Sequence, residues 1–330
     1  MKQWIAGIMA ALMAFGCAAC SAGNEQKTHI TLSEVTHSVF YAPQYVALEL
    51  GYFDDAGLEV ELLNGGGADK VMTSVLTGEA DIGFAGPEAC IYVQNQGKEN
   101  APVVFAQLTK RDGSFLVGRE DVSFSWDLLR GKTIIGGRAG GVPEMTLEYV
   151  MRQNGVEPGA DAEVDTTVQF NMMAGAFTGG NGDFVTLFEP TATEVEAAGQ
   201  GYILTSIGAE SGEIPYTAYF ASGSYLSQHA DVIQKFTDAI ANALAFVHSH
   251  TARETAQVIA PQFPDTSVDT LTQVVQRYLD IDAWNATPVM EQSALERLET
   301  VMEQAGVLEH DAWADYASLV DNSFAENSVG

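Results

Sequence analysis

Short apolar runs alternate with segments of helical periodicity through the first two thirds of the chain. Thr28–Val35 alternates and is rich in β-branched residues, which predicts a first strand. A helix is expected to begin near Pro43, and further strands are expected at residues 59–63, 81–85 and 103–108. Because parallel strands are joined through helices, this alternation predicts a mostly parallel sheet with helices on both faces.

A second series of strands begins after the polar segment 110–113. Its strands are predicted at residues 114–117, 133–135, 166–170, 182–188 and 202–207. Beyond Ser224 the apolar positions keep only helical spacing, which predicts a helical C-terminal tail. Two series with crossovers near 110–113 and 215–221 predict two lobes. The expected bounds are residues 28–112 and 218–330 for lobe 1, and residues 113–217 for lobe 2.

A glycine-rich turn connects a predicted strand and helix of the second series, in the segment 131–145, GKTIIGGRAGGVPEM. Glycine lets the backbone approach a ligand closely, and a helix N-terminus offers free N–H groups. The helix is expected to start at Pro143, a favoured first helical residue. The turn matches neither G-x-G-x-x-G nor the phosphate loop with G-K-[ST]. It is therefore either a ligand-binding turn or a tight connection without a ligand.

Loops that follow the strands form the expected ligand site, because ligands of such sheets bind beyond the carboxyl ends of strands. The candidate ligand-binding residues in these loops and the second crossover are Ser38, Tyr41, Gly86, Glu88, Arg138, Gly140, Gly141, Asn171, Glu189 and Tyr216. Glu189 follows the predicted strand 182–188, so its carboxylate is expected to anchor the ligand, with capping of the next helix as the alternative. The alternative for Tyr41 is core packing, and for Asn171 it is a helix cap.

The N-terminus has the pattern of a signal peptide. Lys2 precedes an uncharged apolar run that ends at Phe15 and is too short to span a bilayer comfortably. Ala18-Ala19-Cys20 resembles the lipobox of bacterial lipoproteins, so Cys20 is the expected lipidation site and Cys17 the second candidate. Residues 1–20 are thus expected to be a lipoprotein signal peptide and residues 21–27 a tether. The mature protein is expected outside the cytoplasm, anchored to the cell membrane.

Charge and composition exclude several kinds of partner. The formal net charge of −29 argues against nucleic-acid binding, since phosphates would be repelled. The six histidines show no spacing typical of metal ligands, and no cofactor is expected. Cys90 lies in an apolar run and is expected to be a buried packing residue.

Four segments resemble, in the correct order, signatures of type 2 periplasmic-type substrate-binding proteins of ABC importers. They are residues 47–60 (A…GYF…GL.V), 76–83 (L..GE.DIG), 126–134 (DL.GK.I) and 182–190 (GD……EP). The similar branch handles nitrate, sulfonates, taurine and aminopyrimidines. The resemblance implies a two-lobed receptor that closes over a small ligand and delivers it to permease and ATPase subunits. It implies no covalent chemistry.

The ligand expected from this resemblance is a thiamine-precursor aminopyrimidine, because carboxylates accept N–H bonds and aromatic rings stack. An aliphatic sulfonate, taurine or nitrate is the alternative, for which Arg138 and Arg111 are candidate partners. Pyrimidine synthases of thiamine biosynthesis share the fold and are enzymes, but their CCCFC motif is absent here. A transcription regulator would need a helix-turn-helix domain where the signal peptide lies.

Overall fold

The computed structural model describes residues 27–329, which contain ten β-strands and fifteen α-helices. The strands are β1 Thr28–Glu34, β2 Leu58–Asn64, β3 Ile82–Ala85, β4 Pro102–Thr109, β5 Phe115–Gly118, β6 Thr133–Ile135, β7 Glu163–Asp165, β8 Phe184–Leu187, β9 Tyr202–Ser206 and β10 Thr217–Ser222. The predicted signal peptide, Cys17, Cys20 and residues 21–26 of the tether lie outside the described residues.

The helices follow the strands in the first two thirds of the chain and stand alone in the last third. They are α1 Ala42–Glu49, α2 Tyr52–Asp55, α3 Ala68–Thr77, α4 Glu88–Asn95, α5 Val142–Gln153, α6 Met173–Thr178, α7 Thr191–Ala197, α8 Ile207–Ser211, α9 Gly223–Gln228, α10 Ala230–Ser249, α11 Ala252–Ile259, α12 Val268–Asp280, α13 Gln292–Gln304, α14 Tyr316–Leu319 and α15 Ser323–Ser328. Among residues 27–329, no helix is both long and apolar enough to cross a bilayer.

The strands form two five-stranded sheets, with orders β2-β1-β3-β10-β4 and β7-β6-β8-β5-β9. In each sheet four strands are parallel and one runs antiparallel to both of its neighbours, β10 in the first sheet and β5 in the second. The chain passes from the first sheet to the second between β4 and β5, and it returns between β9 and β10. The predicted fold class, two lobes of mostly parallel sheets flanked by helices, is confirmed.

The helical tail packs on the first sheet, and aromatic side chains fill the space between them. The Tyr219 ring stacks on Phe84 of β3 at a centroid distance of 4.3 Å and meets Phe236 of α10 edge-on at 5.0 Å. Thr109 and Trp284 form a β-bridge, which joins the end of β4 to the tail. The tail therefore covers the first sheet, because its apolar helix faces need this surface for burial.

One predicted strand is wrong. Residues 166–170 are not a strand, and β7 lies immediately before them at Glu163–Asp165. Asp165 Oδ1 accepts hydrogen bonds from the N–H of Thr167 at 2.9 Å and from its hydroxyl at 2.6 Å, which turns the chain. The β-branched residues after Asp165 had suggested a strand, but they line a cavity instead.

Candidate ligand-binding cleft

A cavity of about 270 Å³ lies between the two lobes. Its first-lobe wall contains Val35 and residues 66–70, which follow β1 and β2, and its second-lobe wall contains residues 166–170, which follow β7. Two smaller cavities, of about 110 and 50 Å³, share lining residues with it. The cleft thus lies beyond the carboxyl ends of parallel strands from both sheets, the usual place for ligands in such folds.

The smallest of these cavities is an aromatic recess. Tyr41, Phe170, Phe188 and Tyr216 line it, and both tyrosines are 4% exposed. The rings of Phe170 and Phe188 have centroids 5.5 Å apart, and those of Phe188 and Tyr216 are 6.1 Å apart. The Tyr216 hydroxyl is buried without a hydrogen-bond partner. Such a recess offers flat apolar faces together with polar groups for orientation.

Glu88 contributes a carboxylate to both the large cavity and the recess. The residue is 1% exposed, and its Oε2 atom has no hydrogen-bond partner. Burial raises the pKa of Glu88 to about 7, although the Arg138 charge and the N–H groups of Glu88, Ala89 and Val142 oppose the rise. A buried acceptor without a partner is costly, so this oxygen is suited to receive a donor from a ligand.

Gly86 makes room for this carboxylate. A Cβ atom at position 86 would overlap Glu88 Oε2 and would lie 2.8 Å from Cγ2 of Val142. Only the absence of a side chain at Gly86 therefore allows the Glu88 side chain and helix α5 to occupy their places.

The glycine turn holds the two lobes together at the cleft. The Tyr92 hydroxyl of α4 donates to the Gly140 carbonyl at 2.9 Å, and Gly140 has a positive φ of 70°. The Gly140 N–H donates to Glu144 within the second lobe, and Gly141 precedes the first residue of α5. Arg138 is exposed at the rim of the cavity, where its Nε lies 3.8 Å from Asp69 Oδ1 of the first lobe.

Ser38 and Glu189 meet beside the 110 Å³ cavity, which both residues line. The Ser38 hydroxyl donates to the Glu189 carbonyl at 2.6 Å. The Glu189 carboxylate accepts from the N–H and hydroxyl of Thr193, both at 2.9 Å, and from Arg277 at 2.5 Å. Glu189 thus accepts bonds from the first turn of α7, although Pro190 is the N-cap residue of this helix, and Arg277 adds an ion pair. A ligand role for Glu189 stays a prediction.

Asn171 also lines the 110 Å³ cavity, with an exposed side chain. It lies in a 3₁₀ turn, Phe170–Met172, rather than at the end of a strand as the sequence pattern had indicated. Its ligand role likewise remains a prediction.

The crossover between the sheets contains a second buried carboxylate. Asp112 is 0% exposed, and its Oδ1 accepts from the Ser114 N–H at 2.6 Å, while Oδ2 has no partner. Burial raises the pKa of Asp112 to about 7, and the hydrogen bond from the Ser114 N–H opposes the rise. Among the described residues, no group of three His, Cys, Asp or Glu could hold a metal ion.

Sequence reasoning missed the aromatic residues Phe170 and Phe188 and the tail residue Arg277. Phe188 directly precedes Glu189 at the end of β8, so the strand-end rule could have included it. Arg277 lies on α12, 88 positions from Glu189, and no local pattern connects the two residues.

Comparisons with known proteins place the chain in a family. The NMT1/THI5 like family matches residues 39–253. The chain is 40% identical over 331 residues to the Bacillus subtilis (strain 168) protein named "Putative binding protein YtlA", with 99% of this chain and 98% of that protein covered.

Two solved structures show the same fold at low sequence identity. The alkanesulfonate-binding protein SsuA from Xanthomonas axonopodis pv. citri, bound to MOPS, has a TM-score of 0.72 and 12% identity, covering 90% of this chain and 99% of that one. The nitrate-binding protein NrtA from Synechocystis PCC 6803 has a TM-score of 0.73 and 15% identity, covering 92% and 89%. The resemblance seen in the sequence motifs is thereby confirmed. The chain belongs to the NMT1/THI5-like family.

Proposed function

We propose that this protein captures a small organic nutrient in its interlobe cleft and delivers it to the permease and ATPase subunits of an importer. The observation that carries the proposal is the cavity of about 270 Å³ lined by strand-end loops of both lobes. This volume is near the lower end of the range of roughly 300–1,000 Å³ for small-molecule sites. Within residues 27–329 the chain crosses between the sheets twice, between β4 and β5 and between β9 and β10, which supports rotation of the lobes as a hinged pair.

The lobe bounds are proposed as residues 28–112 and 218–330 for lobe 1 and residues 113–217 for lobe 2. Sheet membership supports this division, because β1–β4 and β10 form one sheet and β5–β9 form the other. We further propose that a lipid on Cys20, or on Cys17 as the alternative, anchors the protein outside the cytoplasm.

The proposed ligand is a thiamine-precursor aminopyrimidine. The aromatic recess supports it, because Phe170, Phe188 and Tyr216 offer faces for a flat ring. The Glu88 carboxylate supports it as an acceptor for an exocyclic amino group. An aliphatic sulfonate or nitrate is the alternative. The fold shared with SsuA and NrtA and the position of Arg138 at the cavity rim favour that alternative.

Native mass spectrometry of protein purified without denaturation tests the proposal, because a closed cleft retains its ligand. We expect an added mass that fits an aminopyrimidine, and loss of this mass after unfolding and refolding. Isothermal titration of the emptied protein with 4-amino-5-hydroxymethyl-2-methylpyrimidine, taurine and nitrate then ranks the ligands. Small-angle scattering should show a smaller radius of gyration in the ligand-bound protein. A protein that retains nothing, binds none of these compounds and never compacts would contradict the receptor function.

A further inference from the structure

The positive ends of two helices from opposite lobes converge on one point of the cleft. Helix α4 of lobe 1 begins at Glu88, and helix α5 of lobe 2 begins at Val142. The first residues of both helices, Glu88 of α4 and Val142 and Pro143 of α5, line the aromatic recess. The backbone N–H groups of Ala89 and Val142 act to lower the pKa of Glu88 against the effect of burial. Helix N-termini attract anions through their free N–H groups and the helix dipole. In an open cleft of this geometry, a small anionic ligand would bind at this point.

In this chain the point is filled by the protein's own carboxylate. Glu88 is 99% buried, lines two cavities, and leaves Oε2 without a hydrogen-bond partner. Among the described residues, Arg138 forms no ion pair with Glu88, and its salt bridge across the cleft is with Asp69. Within residues 27–329, no cationic side chain lies within ion-pair distance of the Glu88 carboxylate.

The other ionisable groups that face Glu88 do not favour an anion. Tyr41 and Tyr216, across the recess, are buried phenols whose pKa is raised by burial, so both are neutral. At the cavity the two cations, Lys70 and Arg138, are accompanied by Asp69. A second anion beside the Glu88 carboxylate would be repelled by its charge.

We infer that Glu88 determines the charge class of the ligand: its carboxylate takes the place of a bound anion, so the cleft accepts a ligand that presents N–H donors or a positive charge and rejects nitrate and sulfonates. This inference rests on the proposed function and names the ligand class of the same cleft. It separates this chain from the nitrate-binding and alkanesulfonate-binding proteins whose fold it shares.

The test uses the emptied wild-type protein and the variant Glu88→Gln at pH 8, which lies above the Glu88 pKa of about 7 and favours the carboxylate form. The probes are 4-amino-5-hydroxymethyl-2-methylpyrimidine, methanesulfonate and nitrate, titrated by calorimetry. We expect the wild type to prefer the aminopyrimidine, and Glu88→Gln to bind it roughly 10- to 100-fold more weakly, as for loss of a bond to a charged group. Glu299→Gln, a buried carboxylate on α13 outside the cleft, is the matched control and should bind like the wild type.

If neither the aminopyrimidine nor the two anions bind the wild type, binding of the anions to Glu88→Gln decides the result. Gain of methanesulfonate or nitrate binding in Glu88→Gln would support the inference, and no gain would overturn it. Binding of either anion to the wild type, or equal aminopyrimidine affinity in both proteins, would also overturn it. An anion that binds the wild type and compacts it would leave the receptor function standing. Failure of the receptor function itself would look different: native mass spectrometry would show no retained molecule, and small-angle scattering would show no compaction with any probe.

Discussion

The Arg277 guanidinium donates to the Glu189 carboxylate at 2.5 Å, and this ion pair ties the helical tail to the second lobe. Glu189 is 1% exposed, and the same Arg277 nitrogen donates to the Thr193 hydroxyl at 2.7 Å. The Glu189 N–H donates in turn to Tyr278, the neighbour of Arg277 on α12. The sequence predicted that the Glu189 carboxylate would contact the ligand. In the structure its neighbours are protein groups, and they connect the tail of lobe 1 to lobe 2.

Arg277→Met should therefore destabilise the protein strongly. Removing one partner of a buried ion pair typically costs about 3–5 kcal/mol, because the other charge is left uncompensated. Urea unfolding measures this loss. Arg253→Met is the matched control: Arg253 forms an exposed ion pair with Asp269, and its loss should hardly change the midpoint. Equal midpoints for the two variants would contradict a structural role for the Arg277–Glu189 pair.

Glu189→Gln separates the two interpretations of Glu189. The hydrogen bonds with Thr193 and Arg277 lead us to expect earlier unfolding with ligand affinity nearly unchanged. A ligand anchor would instead lose roughly 1.5–3 kcal/mol of binding energy while the empty protein melts normally. Calorimetric titration and thermal unfolding of the same preparation distinguish these outcomes.

Gly86→Ala should weaken ligand binding more than it destabilises the fold. The added methyl group would displace the Glu88 carboxylate and press on Val142 of the opposite lobe, so we expect at least a tenfold loss of affinity. The cost in stability should be about 1–3 kcal/mol, as for other overpacked sites. Gly175→Ala in α6 is the control, since nothing lies within 4 Å of its added Cβ, and it should gain up to about 1 kcal/mol. Unchanged affinity in Gly86→Ala would contradict the placement of Glu88.

The stability of the empty protein should depend on pH through Glu88. Its folded-state pKa, about 7, lies above the value of 4.5 for an unperturbed carboxyl. The folded protein therefore favours the protonated form, and stability falls as pH rises from about 4.5 through 7. Glu88→Gln removes this penalty, so it should exceed the wild type by at most about 3 kcal/mol at pH 8 and by little at pH 4.5. The unfolding midpoints of both proteins are measured between pH 4.5 and pH 8. A difference between them that does not change with pH would contradict a raised pKa for Glu88.

Cys20→Ser should abolish membrane anchoring. Cys20 follows Ala18-Ala19, and several acyl chains hold a lipoprotein firmly where a single chain does not. We expect the variant in the medium or in an unprocessed form, detected by fractionation and by mass spectrometry of the N-terminal peptide. Cys17→Ser is the matched control and should stay anchored. Lipid that persists in Cys20→Ser would instead assign the anchor to Cys17.

The fold could be predicted from the sequence because its signals are local. Apolar periodicity and glycine punctuation placed most of the strands and the longer helices, from β1 at Thr28–Glu34 to α12 at Val268–Asp280. Two elements show the limit of these signals. The Asp165 side chain turns the chain before the β-branched residues 166–170, so the strand ends at Asp165. Strand β10, Thr217–Ser222, lies in a segment that was expected only to cross between the lobes. Strand ends also indicated the loops that line the cleft, including those of Glu88 and Arg138.

Only the tertiary structure decided what each carboxylate in those loops contacts. Glu88 and Glu189 have the same local setting, a strand end followed by a helix, yet one has an unpartnered oxygen and the other is paired. The difference arises from residues far away in the chain: Arg277 of the tail reaches Glu189, whereas α5 brings Val142 and no cationic side chain to Glu88. Burial and pairing depend on elements that meet only when the chain has folded, so no local pattern could distinguish the two residues.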